Sequence, residues 1–136
     1  LLCLKKMVET FHADKDSQIL LLSYTNRAVD EICKSLASIR PAVDFIRVGS
    51  ELSCDEAYRG HLIENELASC TRRADVYERI RNCRIMVGTV AAISGKPELF
   101  RLKHFDVAIV DEATQILEPQ LLGILVHRRR RQECDR

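Results

Sequence analysis

Short apolar runs alternate along this chain with longer stretches in which apolar residues recur every three or four positions. Residues 19–22 and 107–110 are uninterrupted apolar runs, and residues 45–48 and 84–87 have similar strand character. Runs of this kind are expected of strands that are buried on both faces of a parallel sheet. The pattern therefore predicts four strands.

The stretches between the predicted strands have a helical repeat. Apolar stripes at three- and four-residue spacing predict helices over residues 1–11 and 28–39, and shorter helical stretches over residues 91–100 and 118–126. Residues 51–82 are polar with weak periodicity and predict one or two surface helices. Strands that alternate with helices imply an α/β fold, in which helices cover both faces of a parallel sheet.

Polar residues directly follow three of the predicted strands. In sheets of this kind the ligand lies outside the carboxyl ends of the strands, so these positions are the candidate site. The residues are Ser23, Thr25 and Asn26 after the first strand, Gly88 and Thr89 after the third, and Asp111 and Glu112 after the fourth. Thr25 and Asn26 are also good caps for the helix that follows them. A capping role and a binding role are compatible.

Composition excludes several classes of protein. The length of 136 residues fits one domain, and 46% hydrophobic with 30% charged residues is an ordinary globular composition. The net charge of +1 gives no global basic field, and the 5% aromatic content argues against a nucleic-acid surface built from stacked rings. No apolar run approaches the length of about 18 residues that spans a bilayer, so no membrane contact is expected.

The cysteines have no metal-site or redox spacing. They stand at positions 3, 33, 54, 70, 83 and 134, and no two are separated by the two residues of a zinc knuckle. Buried free thiols in a reducing environment are the expected state, and the sequence predicts a cytoplasmic protein. Four histidines lack partners at ligand spacing and are not expected to hold a metal.

The segment around the fourth strand has the chemistry of a magnesium-nucleotide site. Residues 105–112 have the sequence FDVAIVDE, in which four apolar residues run into two adjacent carboxylates. A rigid strand of this kind can hold one carboxylate on a hydrated magnesium ion while the next orients the attacking water. The same pattern also occurs where a strand ends in a solvated acidic turn.

Four ordered segments resemble the superfamily 1 helicases, in the branch that includes the nonsense-mediated-decay helicase. Residues 111–115, with the sequence DEATQ, are similar to motif II of that branch, and residues 23–30, SYTNRAVD, to motif Ia. Residues 87–90, VGTV, are similar to motif Ic, and residues 46–49, IRVG, to a strand between these motifs. The resemblance extends over residues 19–125 and is more specific than any one motif.

The resemblance implies a fold and a division into two parts. Residues 1–126 would be part of a RecA-like P-loop NTPase domain, the first of a helicase, that lacks the P-loop itself. Residues 127–136 include four consecutive arginines and would form a basic tail that is disordered or an artefact of truncation. The intact protein would be an ATP-dependent helicase that moves along single-stranded DNA or RNA, with a second RecA-like domain.

The resemblance also implies roles for individual residues. Asp111 would hold Mg²⁺ through water and Glu112 would activate the water that attacks ATP, while Gln115 would lie near the nucleotide. The contacts to single-stranded nucleic acid would come from Thr25, Asn26, Gly88 and Thr89. Short polar side chains and backbone N–H groups at a helix N-terminus can hold phosphates without reading the base sequence, which independently favours this last assignment.

Some parts of the helicase pattern are absent from the sequence. No glycine-rich loop with Lys and Ser or Thr is found, and the nearest spacing, from Gly88 to Lys96, has Pro97 where the hydroxyl residue is required. Motif III is also absent. We therefore expect a truncated motor that is inactive by itself.

Two other interpretations remain open at this point. One is a doubly wound signalling or binding module with Asp111 as phosphoacceptor, although a receiver domain needs further acidic residues after its first strand, where Ser23 and Thr25 stand. The other is a helicase remnant that binds nucleic acid or protein without hydrolysis. Nucleotide affinity and strand binding would distinguish these alternatives.

Overall fold

A computed structural model describes residues 2–13, 17–40 and 42–111 of the chain. Six α-helices and four strands occur in these residues. The helices are α1 (Leu2–Ala13), α2 (Asn26–Ala37), α3 (Ile63–Leu67), α4 (Arg73–Asn82), α5 (Val90–Ser94) and α6 (Glu98–Leu102). The strands are β1 (Ile19–Ser23), β2 (Phe45–Val48), β3 (Ile85–Thr89) and β4 (Val107–Val110), and two short 3-10 helices, Glu51–Ser53 and Glu56–His61, precede α3.

The four strands form one parallel sheet in the order β2-β3-β1-β4. Ile19 of β1 is in register with Ile85 of β3 and with Val107 of β4. The central strands β1 and β3 are buried along their whole length. The predicted α/β fold with a parallel sheet is confirmed.

Alternate residues of each strand face two separate hydrophobic layers. Ile19 and Leu21 pack with the apolar stripes of α1 and α2 on one face of the sheet. Leu20 and Leu22 pack on the other face with buried residues from α3, α4, α5 and α6. The side chains of a strand point alternately to opposite faces, so helices on both faces are needed to exclude water from the apolar side chains of β1.

The segment between β2 and β3 is more deeply involved in the core than its polar composition predicts. Leu62, Ile63 and Ile80 are almost completely buried, and Leu62 also forms a parallel bridge with Arg47 of β2. Two 3-10 helices and two α-helices occur here, in place of the one or two surface helices predicted. The few apolar residues of this segment cover one face of the sheet, and the rest is solvated.

Strand β4 corrects the expectation of a strand buried on both faces. All four of its residues are only partly buried, because β4 lies at the edge of the four-stranded sheet within the part of the chain that the structure describes. The helix predicted over residues 118–126 and the basic tail over residues 127–136 lie outside the described residues.

Candidate functional site

The carboxyl ends of three neighbouring strands place polar residues side by side. Ser23, at the end of β1, is in register with Thr89 at the end of β3. On the other side of β1, Leu22 is in register with Val110, and the backbone N–H of Asp111 donates to the Leu22 carbonyl oxygen at 2.8 Å. Thr89, Ser23 and Asp111 therefore follow one another across this edge, as the sequence predicts.

Asp111 lies beside the beginning of α1. A cavity of about 220 Å³ is lined by Cys3, Leu4 and Met7 of that helix together with Ile109, Val110 and Asp111. The cavity therefore lies between the Asp111 carboxylate and the first described residues of α1.

The donor set fits magnesium only when other ligands complete the coordination sphere. Asp111 supplies a hard carboxylate oxygen, but no group of three His, Cys, Asp or Glu side chains that could hold a metal occurs among the described residues. Magnesium commonly binds one or two carboxylates together with phosphates and water, so one carboxylate beside a phosphate site is sufficient. The residues present fit a magnesium–nucleotide complex better than a bare ion.

Thr25 and Asn26 occupy the start of α2 and are both exposed. The Thr25 hydroxyl accepts a hydrogen bond from the Ala28 backbone N–H at 3.2 Å, which is the N-cap contact that the sequence predicts. Neighbouring Tyr24 is also exposed. Of the residues predicted to contact nucleic acid, this pair is the most accessible.

Gly88 and Thr89 are buried at the end of β3. The Thr89 hydroxyl accepts from the Ala92 backbone N–H at 3.1 Å and so caps α5. A Cβ atom at position 88 would lie only 3.0 Å from the Val48 carbonyl oxygen and 3.4 Å from the Ile93 side chain. Gly88 is thus required for close packing of β2 and α5, whatever else it contacts.

The structure brings five of the predicted site residues to one edge of the sheet, but these residues differ in exposure. Thr25 and Asn26 face solvent, while Gly88 and Thr89 can reach a ligand only through small exposed areas. Asp111 lies on the β4 side of the same edge. Glu112 and Gln115 lie outside the described residues, so their assigned roles stay predictions.

Arg47 is the residue at this site to which the sequence analysis assigned no role. It lies in β2 between apolar neighbours and is 1% exposed, and its guanidinium forms an ion pair with Asp30 of α2. Its Nη2 also donates to the backbone oxygens of Ser53, at 3.1 Å, and Asn26, at 3.5 Å. A charged residue inside an apolar strand was the available signal, since buried charges need partners.

The thiols beside this cluster are protonated. Burial raises the pKa of the Cys33 thiol to about 12, although the nearby Arg47 guanidinium opposes the shift. Burial likewise raises the pKa of Cys54. All five described cysteines are free, as the sequence predicts, but Cys3 is exposed rather than buried. Cys33 and Cys54 therefore lack the lowered pKa of a nucleophilic cysteine.

Among the described residues, no helix is both long enough and apolar enough to cross a bilayer.

A model of the protein family described as AAA domain matches residues 62–132, about half of the chain. The matched part includes β3, β4 and the carboxylate segment at residues 111–112.

Curated relatives align over most of the chain. The DNA replication ATP-dependent helicase/nuclease DNA2 of Homo sapiens is 34% identical over 114 residues, which cover 82% of this chain and 10% of that protein. The corresponding Gallus gallus protein is 35% identical over 79% of this chain and 11% of its own length. The DNA replication ATP-dependent helicase/nuclease JHS1 of Arabidopsis thaliana is 30% identical over 82% of this chain and 8% of its own length. The chain thus spans about a tenth of the length of these relatives.

Proposed function

This chain belongs to the AAA-domain family, as a RecA-like domain of the superfamily 1 helicase type, and from that premise we propose that it forms part of an ATP-dependent helicase motor. The nucleic acid would be single-stranded DNA, because the matched relatives are named as DNA replication helicase/nucleases. The placement of Asp111 in line with Ser23 and Thr89 at the carboxyl edge of the sheet, beside a cavity, is the observation that carries the proposal.

Nucleotide chemistry is assigned to the β4 side of the edge. Asp111 would hold the hydrated magnesium ion through water, Glu112 would orient and deprotonate the attacking water, and Gln115 would contact the nucleotide. Magnesium, when bound, supplies charge neutralisation for in-line attack on the γ-phosphate. The cavity that Asp111 and α1 line supports this assignment, since it leaves room for a ligand beside the carboxylate.

Strand binding is assigned to the β1 and β3 side of the edge. Thr25 and Asn26 contact the sugar-phosphate backbone with their side chains, and Gly88 and Thr89 contact it through backbone and hydroxyl groups. Such contacts position a strand without reading its sequence. The exposure of Thr25 and Asn26 at a helix N-terminus supports this assignment.

A binding titration tests strand recognition directly. Fluorescence anisotropy of a labelled oligo-dT is measured with the chain and with Asn26→Ala, and we expect the substitution to weaken affinity about fivefold, a cost of roughly 1 kcal/mol. Asn82→Ala is the matched control, because Asn82 is an exposed amide at the end of α4, near the opposite edge of the sheet. Equal effects of the two substitutions, or no binding by the unaltered chain, would contradict the proposal.

The nucleic-acid preference needs a second titration with oligo-U. We expect weaker binding to the RNA than to the DNA of equal length. Tighter binding of oligo-U would reject DNA as the preferred strand while leaving strand binding itself intact.

ATP hydrolysis gives a separate test. The sequence contains no glycine-rich phosphate loop, so we expect this chain by itself to hydrolyse ATP no faster than buffer. Magnesium-dependent hydrolysis that Glu112→Gln abolishes would overturn that expectation. Strand binding without any nucleotide affinity would instead favour a non-hydrolysing remnant.

A further inference from the structure

Arg47 is a fully buried cation within a strand whose other residues are apolar. A buried guanidinium is retained only where partners satisfy its donors, because an unpaired charge in the interior is strongly unfavourable. Its partners come from two separate parts of the chain, which is unusual for a residue that merely fills the core. The identity of those parts points to its role.

One set of partners belongs to α2. Arg47 pairs with Asp30, one turn into that helix, and its Nη2 lies 3.5 Å from the backbone oxygen of Asn26, the first helical residue. Asn26 and its neighbour Thr25 are the exposed residues assigned to the strand. Arg47 therefore contacts the N-terminal end of α2, where Thr25 and Asn26 lie.

The other set of partners belongs to the loop that follows β2. The Nη2 of Arg47 donates to the Ser53 backbone oxygen at 3.1 Å. Asp30 also accepts from the Asp55 backbone N–H at 3.1 Å, through the same carboxylate oxygen that pairs with Arg47. The guanidinium and the carboxylate thus bind helix and loop into one unit.

We propose that Arg47 is a positioning residue for nucleic-acid binding, which fixes the Thr25–Asn26 end of α2 against the loop over residues 53–55. This inference rests on the proposed strand-binding function. It implies that the loop, which the sequence analysis left without a role, sets the orientation of α2. A planar guanidinium is needed, because its Nη1 binds the Asp30 carboxylate while its Nη2 binds the backbone oxygens of Asn26 and Ser53.

The principal test is Arg47→Lys, which keeps the positive charge but replaces the planar guanidinium with an ammonium group. Oligo-dT affinity is measured well below the melting temperature of each variant, and we expect about a tenfold loss, equivalent to 1.4 kcal/mol. Arg79→Lys is the control, since Arg79 binds the carboxylates of Asp44 and Glu66 with four hydrogen bonds but lies near the opposite edge of the sheet. Its affinity is expected to change less than about twofold.

A second variant covers the case in which Arg47→Lys does not fold. Asp30→Asn keeps the acceptor oxygen but removes the ion pair, at a side chain that is 26% exposed and therefore more tolerant. We expect a loss of oligo-dT affinity of about threefold. A loss in Arg47→Lys that Arg79→Lys reproduces, or unchanged affinity in both Arg47→Lys and Asp30→Asn, would overturn the proposal.

Hydrogen exchange separates this inference from the proposed function. If the unaltered chain binds no oligo-dT, the proposed function fails, and the link made by Arg47 is judged from the backbone amides alone. We expect faster exchange in Arg47→Lys at both residues 26–30 and residues 53–57, with residues 73–82 unchanged. Acceleration in only one of the first two segments, or in all three equally, would refute the link.

Discussion

The two edges of the sheet use their polar residues in different ways. At the amino edge, Arg84 donates to the backbone oxygen of His12, 72 positions away in sequence, and the Gln18 N–H donates to Asp106, 88 positions away. At the carboxyl edge, the hydroxyls of Thr25 and Thr89 cap their own helices through residues three positions on. These amino-edge contacts join distant segments, whereas the two exposed-end caps at the carboxyl edge are local; the buried Arg47 is the long-range exception there.

This difference distinguishes polar groups that hold the fold together from polar groups that remain accessible to a ligand. A side chain that joins distant segments is committed to the fold, and its loss exposes partners that were paired. A local cap leaves the outer side of the helix terminus open to a ligand. Substitutions at the amino edge should therefore cost stability, whereas those at exposed positions of the carboxyl edge should cost binding.

Gly88 is an exception to this comparison, because it lies at the carboxyl edge but is buried. We expect Gly88→Ala to lower the free energy of unfolding by about 2 kcal/mol, since the new methyl group would press on the Val48 carbonyl. Urea denaturation measures the loss. Gly60→Ala is the control, because no atom lies within 4 Å of a Cβ there. A stable Gly88→Ala variant would show that this close contact relaxes.

Arg79 tests the amino edge. Its guanidinium binds Asp44 and Glu66 at 2.8 Å each, so we expect Arg79→Ala to leave two carboxylates without their partner and to cost about 1.5 kcal/mol of stability. Oligo-dT affinity should stay within about twofold. Arg81→Ala, which removes the same charge from an exposed site on α4, controls for net charge. Reduced affinity in Arg79→Ala alone would break the division between the edges.

Thr25 tests the carboxyl edge, where one hydroxyl both caps a helix and is assigned to the strand. Removal of the cap in Thr25→Ala should cost about 1 kcal/mol in thermal or urea unfolding. Thr25→Ser retains the hydroxyl, so its free energy of unfolding and its oligo-dT affinity should stay close to those of the unaltered chain. If Thr25→Ser were as unstable as Thr25→Ala, the methyl group rather than the cap would be responsible.

Lys103 gives a pH dependence at the amino edge. The lysine is buried and donates to the Ile80 backbone oxygen, and burial lowers its pKa from 10.5 to about 8. Between these values the unfolded chain binds more protons than the folded chain, so this group makes stability rise with pH from about 8 to 10.5. Burial raises the pKa of Cys83 to about 11, and of Cys33 to about 12, from an ordinary value of 9.0, which opposes the rise as the unfolded thiols ionise from about pH 8 upward.

The lysine is therefore isolated by comparing the unaltered chain with Lys103→Met, in which the thiols are the same. From pH 8 to pH 9 we expect the free energy of unfolding of the unaltered chain to rise relative to that of Lys103→Met by up to about 1 kcal/mol. Chemical denaturation at both pH values measures the difference. The same change with pH in both proteins would assign the pH dependence to another group.

Several features of the candidate site could be predicted from local sequence. The apolar run over residues 19–22 and the Thr25 cap were sufficient to place β1 and the start of α2, because both depend on neighbours in sequence. The positions of Thr89 and Asp111 at one edge followed from the rule that parallel strands end together. The predicted roles of these residues in binding stay predictions until the titrations are made.

The sequence by itself determined the strands, the helices that alternate with them and the residues at the carboxyl edge, because periodicity and capping are local properties. Only the tertiary structure decided that Arg47 joins α2 to the loop after β2, that Gly88 leaves no room for a methyl group, and that β4 is half-buried. Each of these depends on contacts between residues far apart in the chain. No local pattern encodes such contacts, so they emerge only when the sheet is assembled.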